Sequence, residues 1–188
     1  MRKLARRAGV DAGYATRVLT LLEDENVLER GERGEIALVR WRELLGLWAR
    51  DYEIGAVNRH VPCLSPRGLE SFTDQLRLSV DRYAVTASLA VPPEAAVAPA
   101  RRVTCFADDP GRAIDAFGLA ETEVGSNVLL LVPFDPVVYE RPRTLTGLIV
   151  VALSQCVVDL LTGAGREPAQ ATALLDWMEE NEDAWRLP

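Results

Sequence analysis

The chain has one histidine, one lysine, three cysteines and no long apolar run in its 188 residues. With His60 as the only imidazole, the sequence offers no metal site of ordinary spacing and no His-based catalytic pair. Cys63, Cys105 and Cys156 are odd in number and far apart, which favours reduced thiols over a disulfide framework or a zinc site. No segment approaches the roughly 18 apolar residues of a membrane-spanning helix, and the N-terminus lacks the apolar core of a signal peptide. We therefore expect a cytoplasmic protein with no membrane partner and no cofactor.

Charge is distributed unevenly along the chain. Residues 1–50 carry ten basic and eight acidic side chains, a net charge of +2, whereas residues 51–188 carry eleven basic and twenty acidic side chains, a net charge of −9. The total of −7 argues against a protein that binds nucleic acid over its whole surface. A small positive face at the N-terminal end remains compatible with phosphate contacts, because these are local and screened within about 8–10 Å.

The first forty residues have the pattern of a winged helix-turn-helix. Residues 2–8 are predicted to form a short helix that ends at Gly9, and Asp11 is a suitable N-cap for a second helix from Ala12 to about Glu25. Apolar residues recur in that second helix at amphipathic spacing, namely Ala15, Val18, Leu19 and Leu22. Two short strands joined over Gly31 and Gly34 would form the wing. A winged helix normally has a further helix before this pair. We expect either that the chain lacks the first helix of that plan or that the connecting helix over 40–52 closes the core instead.

This pattern predicts DNA as the partner, because the second helix of a helix-turn-helix enters the major groove, which is about 12 Å wide. On that helix, Arg17 can contact guanine with two hydrogen bonds, and Tyr14 can donate its hydroxyl to a phosphate. The preceding helix and the hairpin turn carry further arginines suited to the backbone. The predicted DNA-binding residues are Arg6, Arg7, Tyr14, Thr16, Arg17, Thr20, Arg30 and Arg33.

The rest of the chain alternates helices and strands, which predicts an α+β protein in which a C-terminal α/β domain has a mixed sheet. We expect a winged helix-turn-helix over 1–40, a connecting helix and linker over 41–62, and the C-terminal domain over 63–188. The predicted helices after the connecting helix are 66–79, 110–117 and 167–182, with another from Ser154 to Leu161 after an extended start at Gly147. The predicted strands are 83–86, 102–106, 127–132 and 137–140.

Several segments, in this order, resemble a known family. They are LARRAGVDAGYATRVLTLLEDENVLER, YAVTASLA, VTCFADDP, NVLLLVPFDPVVYER and LSQCVVDLLTGAGREPAQATALLDWM. Together they resemble the AbiEi-like antitoxins and regulators of type IV toxin-antitoxin systems, which couple a winged helix to a C-terminal α/β domain. The resemblance implies autoregulation of a promoter by the N-terminal domain and implies no enzymatic activity. Its DNA-contacting positions would be Tyr14, Thr16, Arg17 and Arg33.

The sequence patterns that would indicate an enzyme are weaker than the pattern that indicates DNA binding. Asp108, Asp109 and Asp135 follow predicted strands and could hold metal ions in a nucleotidyltransferase-like site, but Asp109 before Pro110 is better interpreted as a helix N-cap. The glycines of TGAGRE, Gly163 and Gly165, precede a helix but lack the rest of a phosphate-binding loop. A helix end followed by a helix start explains them better.

Three hypotheses remain open. The first is a sequence-specific regulator or antitoxin-like autorepressor that binds double-stranded DNA, as a homodimer because operators are commonly two-fold. The second is an interaction protein whose winged helix does not bind DNA and whose acidic domain binds a cognate toxin or another protein. The third is the nucleotidyltransferase-like enzyme, which would need a divalent metal at the three aspartates.

Overall fold

The computed structural model describes residues 2–186 and divides the chain into two compact units, which meet in sequence between Trp48 and Ala49. The first unit contains two helices, an antiparallel strand pair and most of a third helix. These elements are α1 (Arg2–Arg7), α2 (Ala12–Asp24), β1 (Leu28–Arg30), β2 (Ile36–Val39) and α3 (Trp41–Asp51).

In the first unit, the residues predicted to start and end α2 do so in the structure. Asp11 caps α2, because its carboxylate accepts a 2.8 Å hydrogen bond from the Tyr14 amide. Asn26 lies just beyond α2 with a φ of +58°, a left-handed conformation that asparagine tolerates better than most residues. The core includes Ala5 and Ala15 on the two helices and Leu28 on the hairpin, each at most 6% exposed. The two predicted helices and the predicted hairpin are therefore confirmed.

The second unit is built on a seven-stranded mixed sheet. Its strands are β3 (Arg59–Leu64), β4 (Tyr83–Thr86), β5 (Val103–Ala107), β6 (Ala120–Glu121), β7 (Val128–Val132), β8 (Arg143–Leu145) and β9 (Leu148–Val150). They lie in the order β6-β3-β7-β5-β4-β9-β8. β5 lies parallel to β7 and β4 lies parallel to β9, whereas the other neighbouring pairs are antiparallel. The expected α+β class with a mixed sheet is confirmed.

Helices cover both faces of this sheet. α5 and α6 lie on one face, where Phe72 and Phe117 meet edge to face at 5.5 Å. α7 lies on the other face, where Thr86 of β4 bonds to Asp159, and α8 packs against α7. The helices of this unit are α4 (Ile54–Val57), α5 (Gly68–Leu78), α6 (Pro110–Phe117), α7 (Leu153–Leu161), α8 (Glu167–Glu180) and α9 (Glu182–Trp185), and short 3-10 helices occur at Ala87–Ala90, Pro93–Ala95 and Pro136–Tyr139.

Some predicted elements of the second unit differ from the structure. The strand expected over 137–140 is wrong, because residues 136–139 form a 3-10 helix. Its start is set by Asp135, whose side chain accepts a 2.8 Å hydrogen bond from the Val137 amide, and by Pro136, whose ring fixes φ. Residues 59–64, which include the end of the expected linker, form β3. The long helix expected to reach residue 182 ends at Glu180, and α9 follows it.

Across residues 2–186, no helix combines the length and the apolar character that a membrane span requires.

Candidate nucleic-acid interface

The first helix of the N-terminal unit has one strongly basic face. Arg2, Lys3, Arg6 and Arg7 are all exposed on α1, and their spacing of one and four residues places them on the same side of the helix. Ala5, on another side, is 3% exposed and packs into the core of the unit. Because α1 carries no acidic residue, its outer face is a continuous patch of positive charge.

The second helix presents a polar face that starts at a well-ordered N-terminus. Tyr14 and Arg17 lie one turn apart on the exposed side of α2, with the Arg17 guanidinium carbon 5.8 Å from the centre of the Tyr14 ring. A Cβ atom added at Gly13 would meet a guanidinium nitrogen of Arg17 at 4.0 Å, so the arginine lies back toward the helix N-terminus. Within residues 2–186, no acidic side chain pairs with Arg17, which leaves its five donors available to a ligand.

Three of the predicted contact residues, Thr16, Thr20 and Arg30, form contacts inside the unit. Thr16 donates its hydroxyl to the Ala12 carbonyl at 2.8 Å, so that only its acceptor lone pairs face outward. Arg30 on β1 forms an ion pair with Glu23 of α2 and donates to the Thr20 hydroxyl at 3.3 Å. Its charge is thus compensated locally, and the contact joins the hairpin to the helix.

The hairpin turn offers one predicted contact, Arg33. The turn is closed by hydrogen bonds of 2.9 Å from Gly34 N to Gly31 O and from Gly31 N to Glu35 O, and Gly34 adopts a φ of +76° that favours glycine. The Arg33 side chain is exposed and has no ion-pair partner among residues 2–186. Three acidic residues of the hairpin surround it in sequence, Glu29, Glu32 and Glu35. The positive charge of this unit is therefore concentrated on α1 rather than on the hairpin. At the start of α2 the Asp11 carboxylate lies near the position that Arg17 approaches.

The N-terminal unit also exposes apolar side chains. Leu4 is 40% exposed, and Ile36 and Leu38 on β2 are each 43% exposed. A cavity of about 290 Å³ opens beside Leu4, Leu19 and Ile36. Lys3 and Arg7 of the basic face also line this cavity, so the apolar edge adjoins the basic face, and it could bury a partner's apolar side chains.

In the second unit, Asp108 and Asp109 have structural partners. Asp108 accepts hydrogen bonds from the Arg82 guanidinium, the shorter of which is 2.7 Å, and from the Tyr139 hydroxyl at 2.9 Å. Asp109 caps α6, because its carboxylate accepts from the Arg112 amide at 3.0 Å. The N-cap interpretation of Asp109 is confirmed.

The other residues considered for catalysis or ligand binding also have structural roles or structural partners. Asp135 bonds the Val137 amide, and the His60 ring nitrogen Nδ1 lies 3.2 Å from the Gly55 carbonyl oxygen on an exposed part of β3. Gly163 and Gly165 join the end of α7 to the start of α8, as the helix-end interpretation predicts. In the part of the chain that the structure describes, no group of three histidine, cysteine or acidic side chains is arranged to hold a metal ion.

The three cysteines are free and buried. Burial raises the pKa of the Cys105 and Cys156 thiols to about 12 and that of Cys63 to about 11. These thiols are therefore protonated near neutral pH and behave as small apolar side chains, since only the thiolate is strongly nucleophilic.

No family model matches this chain, and neither a curated protein nor a solved structure matches it. The candidate interface therefore depends on the geometry of residues 2–48 alone. The sequence-based prediction omitted Arg2 and Lys3 from the basic face, although their spacing of four residues from Arg6 and Arg7 places all four on one side of a helix. It also missed the pairing of Arg30 with Glu23, which depends on how the hairpin packs against α2.

Proposed function

We propose that this protein is a transcriptional regulator whose N-terminal unit binds double-stranded DNA as a winged helix-turn-helix. In this proposal α2 is the recognition helix and Arg17 contacts a base edge, with Tyr14 at a neighbouring phosphate. The basic face of α1 contacts the phosphate backbone. Arg33 makes a lesser contact at the tip of the wing, and the second unit is not an enzyme.

One observation carries the proposal: among residues 2–186, the basic side chains of α1 have no ion-pair partner and lie beside the exposed start of α2. Four basic side chains on one helix face and an unpaired arginine on the next helix are what phosphate and base contacts require. An ordinary solvated surface more often mixes charges of both signs. Because Arg30 is paired with Glu23 and the hairpin is acidic, the proposed DNA contacts lie mainly on the helix pair, with Arg33 as the contact from the hairpin. Thr16 and Thr20 are secondary polar groups.

The test is a fluorescence-anisotropy titration with DNA from the region upstream of the gene, at two salt concentrations. Arg17→Ala should weaken specific binding by roughly 5- to 150-fold, which corresponds to about 1–3 kcal/mol for a base contact. Arg7→Ala should weaken binding to all sequences and reduce the salt slope by about 1, because it removes one phosphate contact.

Arg101→Ala is the matched control, since it removes one exposed arginine from the second unit. It should leave both the affinity and the salt slope unchanged. If no DNA binds at low salt, or if Arg17→Ala and Arg101→Ala behave alike, the proposal is wrong.

A second candidate function is favoured by the exposed apolar edge of the same unit. Leu4, Ile36 and Leu38 would be buried if the N-terminal unit docked onto another protein, such as a cognate toxin. In that case Ile36→Ser would abolish binding of the partner protein and Arg17→Ala would not. If the unit binds DNA, Arg17→Ala would weaken binding in the DNA titration and Ile36→Ser would not.

We further propose that the regulator acts as a homodimer of the AbiEi-like antitoxin kind, repressing its own promoter. The resemblance of the sequence segments supports this assignment, and the two-fold symmetry of most operators supports the dimer. Light scattering coupled to size exclusion measures the mass directly, and a 20.7 kDa species at working concentration would contradict the dimer.

A further inference from the structure

The second unit contains a cavity of about 190 Å³ between α5 and α6, above the sheet. Its floor and walls are apolar. Phe72, Leu76, Cys105 and Leu130 are each at most 1% exposed. The lining is completed on α6 by Ala113 and Phe117. The cavity lies where β5 ends beside the parallel strand β7, and ligands of open sheets with parallel strands bind outside such carboxyl ends.

The mouth of the cavity is polar and charged. Arg112 pairs with Asp81 at 2.7 Å, and Arg82 pairs with Asp108 at 2.7 Å. Arg82 also lies over the Tyr139 ring, 4.3 Å from its centre. The four charged side chains of these pairs are 39–67% exposed, so the mouth is in contact with solvent.

The size and walls of the cavity fit one aromatic ring. An apolar cavity of about 150 Å³ can hold benzene, so the volume here allows a ring with a short substituent or a small fused pair. Phe117 is partly exposed to the cavity and is held in an edge-to-face contact with the fully buried Phe72, so that a ligand ring can pack on Phe117. An aliphatic chain of the same volume would gain less from this ring.

The charges at the mouth select against an anionic ligand. Asp81, Asp108 and Asp109 outnumber Arg82 and Arg112 by one, and both arginines are already paired with aspartates. A carboxylate ligand would have to displace one of those pairs, whereas a hydroxyl or an N–H group can bond to an aspartate oxygen without breaking it.

We propose that this cavity binds a small uncharged aromatic molecule of the phenol or indole class. The ring lies against Phe117 and Ala113, and the hydroxyl or N–H group points to Asp108 at the mouth. This site is separate from the proposed DNA-binding residues and does not depend on them, because binding is measured on the protein without DNA.

The test measures binding of phenol, indole, benzoate and benzylamine to the full chain by calorimetry and by the shift in melting temperature. Ala113→Leu fills the cavity, and Ala116→Leu makes the same change on the exposed side of α6. We expect phenol and indole to bind wild type and Ala116→Leu equally, to bind Ala113→Leu at least tenfold more weakly, and to bind more tightly than benzoate. Binding that persists within twofold in a folded Ala113→Leu variant overturns the site, and so does an absence of phenol and indole binding at millimolar concentration.

A measurement on wild type keeps the proposal testable if Ala113→Leu fails to fold. Indole should shift the methyl NMR resonances of Leu76, Ala113 and Leu130, which line the cavity. It should leave the methyl resonances of Leu4 and Ile36 in the first unit unchanged. Shifts confined to residues outside the cavity overturn the proposal, and tightest binding by benzoate or by benzylamine overturns the assignment to an uncharged ligand.

Discussion

The Tyr52 hydroxyl donates a 2.8 Å hydrogen bond to Asp159, although the two residues are 107 positions apart in the sequence. Asp159 is fully buried on α7 and accepts two further hydrogen bonds, from the Thr86 hydroxyl at 2.5 Å and from the Gln155 amide at 2.8 Å. The Asn58 amide donates to the Tyr52 oxygen at 3.1 Å. A single buried carboxylate thus joins α7 to β4 and to the residue that follows α3.

This arrangement predicts that Asp159 makes the protein less stable as the pH rises. Burial raises the pKa of Asp159 from 3.8 to about 6, although its three donors partly oppose that rise. Between these two values the folded state holds the proton more firmly than the unfolded state. The contribution of Asp159 is therefore fully favourable below about pH 4 and is lost as the pH rises through about 6.

Urea denaturation of wild type and Asp159→Asn at pH 5 and pH 7.5 measures this effect. The stability of wild type relative to the variant should be greater at pH 5 than at pH 7.5 by about 1–1.5 kcal/mol. The comparison with Asp159→Asn removes the contribution of the exposed carboxylates, which titrate in both proteins. An equal difference at the two pH values would mean that Asp159 has an ordinary pKa.

The hydroxyl of Tyr52 should itself contribute to stability. Tyr52→Phe removes one donor to Asp159 and one acceptor of the Asn58 amide, whereas Gln155 still donates to Asp159 and Asn58 still donates to the Ile54 carbonyl. The expected cost in the free energy of unfolding is about 0.5–1.5 kcal/mol, the net value of a lost hydrogen bond. Tyr14→Phe is the matched control, because Tyr14 is 49% exposed and its hydroxyl has no hydrogen-bond partner among residues 2–186. A similar small effect in both variants would contradict the role of the network.

The cysteines provide a prediction about reactivity. All three thiols are buried and their pKa values are raised by burial to about 11 or 12. A thiol reagent at pH 8 should therefore label none of them in the folded protein within minutes, and should label all three in urea. Mass spectrometry counts the labels. A fast-reacting thiol in the folded protein would show that one of these sites opens or is more exposed than the structure indicates.

The elements predicted most accurately from the sequence are those whose signals are local. α6 has the predicted bounds, because Asp109 and Pro110 start it and Gly118, with a φ of +61°, ends it. β4 is also predicted correctly, because its four residues are all buried and form a short apolar run. Such signals require no knowledge of how distant parts of the chain meet.

The elements that were missed depend on tertiary contacts. β3 contains Pro62, which lacks a hydrogen-bond donor, and begins with the exposed residues Arg59 and His60, so its sequence is atypical of an internal strand. It forms because β7 pairs with it along five residues. The same limit applies to the candidate interface. Tyr14 and Arg17 could be placed on an exposed helix face, but the pairing of Arg30 with α2 could not be foreseen.

The role of Asp109 can be tested against the metal-dependent hypothesis. If Asp109 is an N-cap, Asp109→Ala should cost about 1 kcal/mol of stability, whereas Asp109→Asn should cost only a few tenths, because asparagine also caps well. Mg²⁺ at millimolar concentration should leave the melting temperature of wild type unchanged. A rise in the wild-type melting temperature that is absent in both variants would instead indicate a metal site at this end of β5.

The turn between β8 and β9 offers a stabilising substitution. Thr146 and Gly147 join the paired residues Leu145 and Leu148, with φ values of +50° and +80°. Positive φ at both positions is typical of a type I′ turn, which favours asparagine followed by glycine. A β-branched threonine is strained in this conformation. Thr146→Asn should therefore raise the free energy of unfolding by about 0.5–1 kcal/mol, measured by the urea midpoint.

Gly147→Ala provides the control in the opposite direction. It should lower the free energy of unfolding by about 1 kcal/mol, because alanine is strained at a φ of +80°. The Thr146 hydroxyl donates to the Leu145 carbonyl at 2.8 Å, and that bond is lost in Thr146→Asn. Because the bond is exposed, water can replace it, and the relief of backbone strain should dominate. If Thr146→Asn instead lowers the midpoint, the hydroxyl bond is worth more than the strain it accompanies.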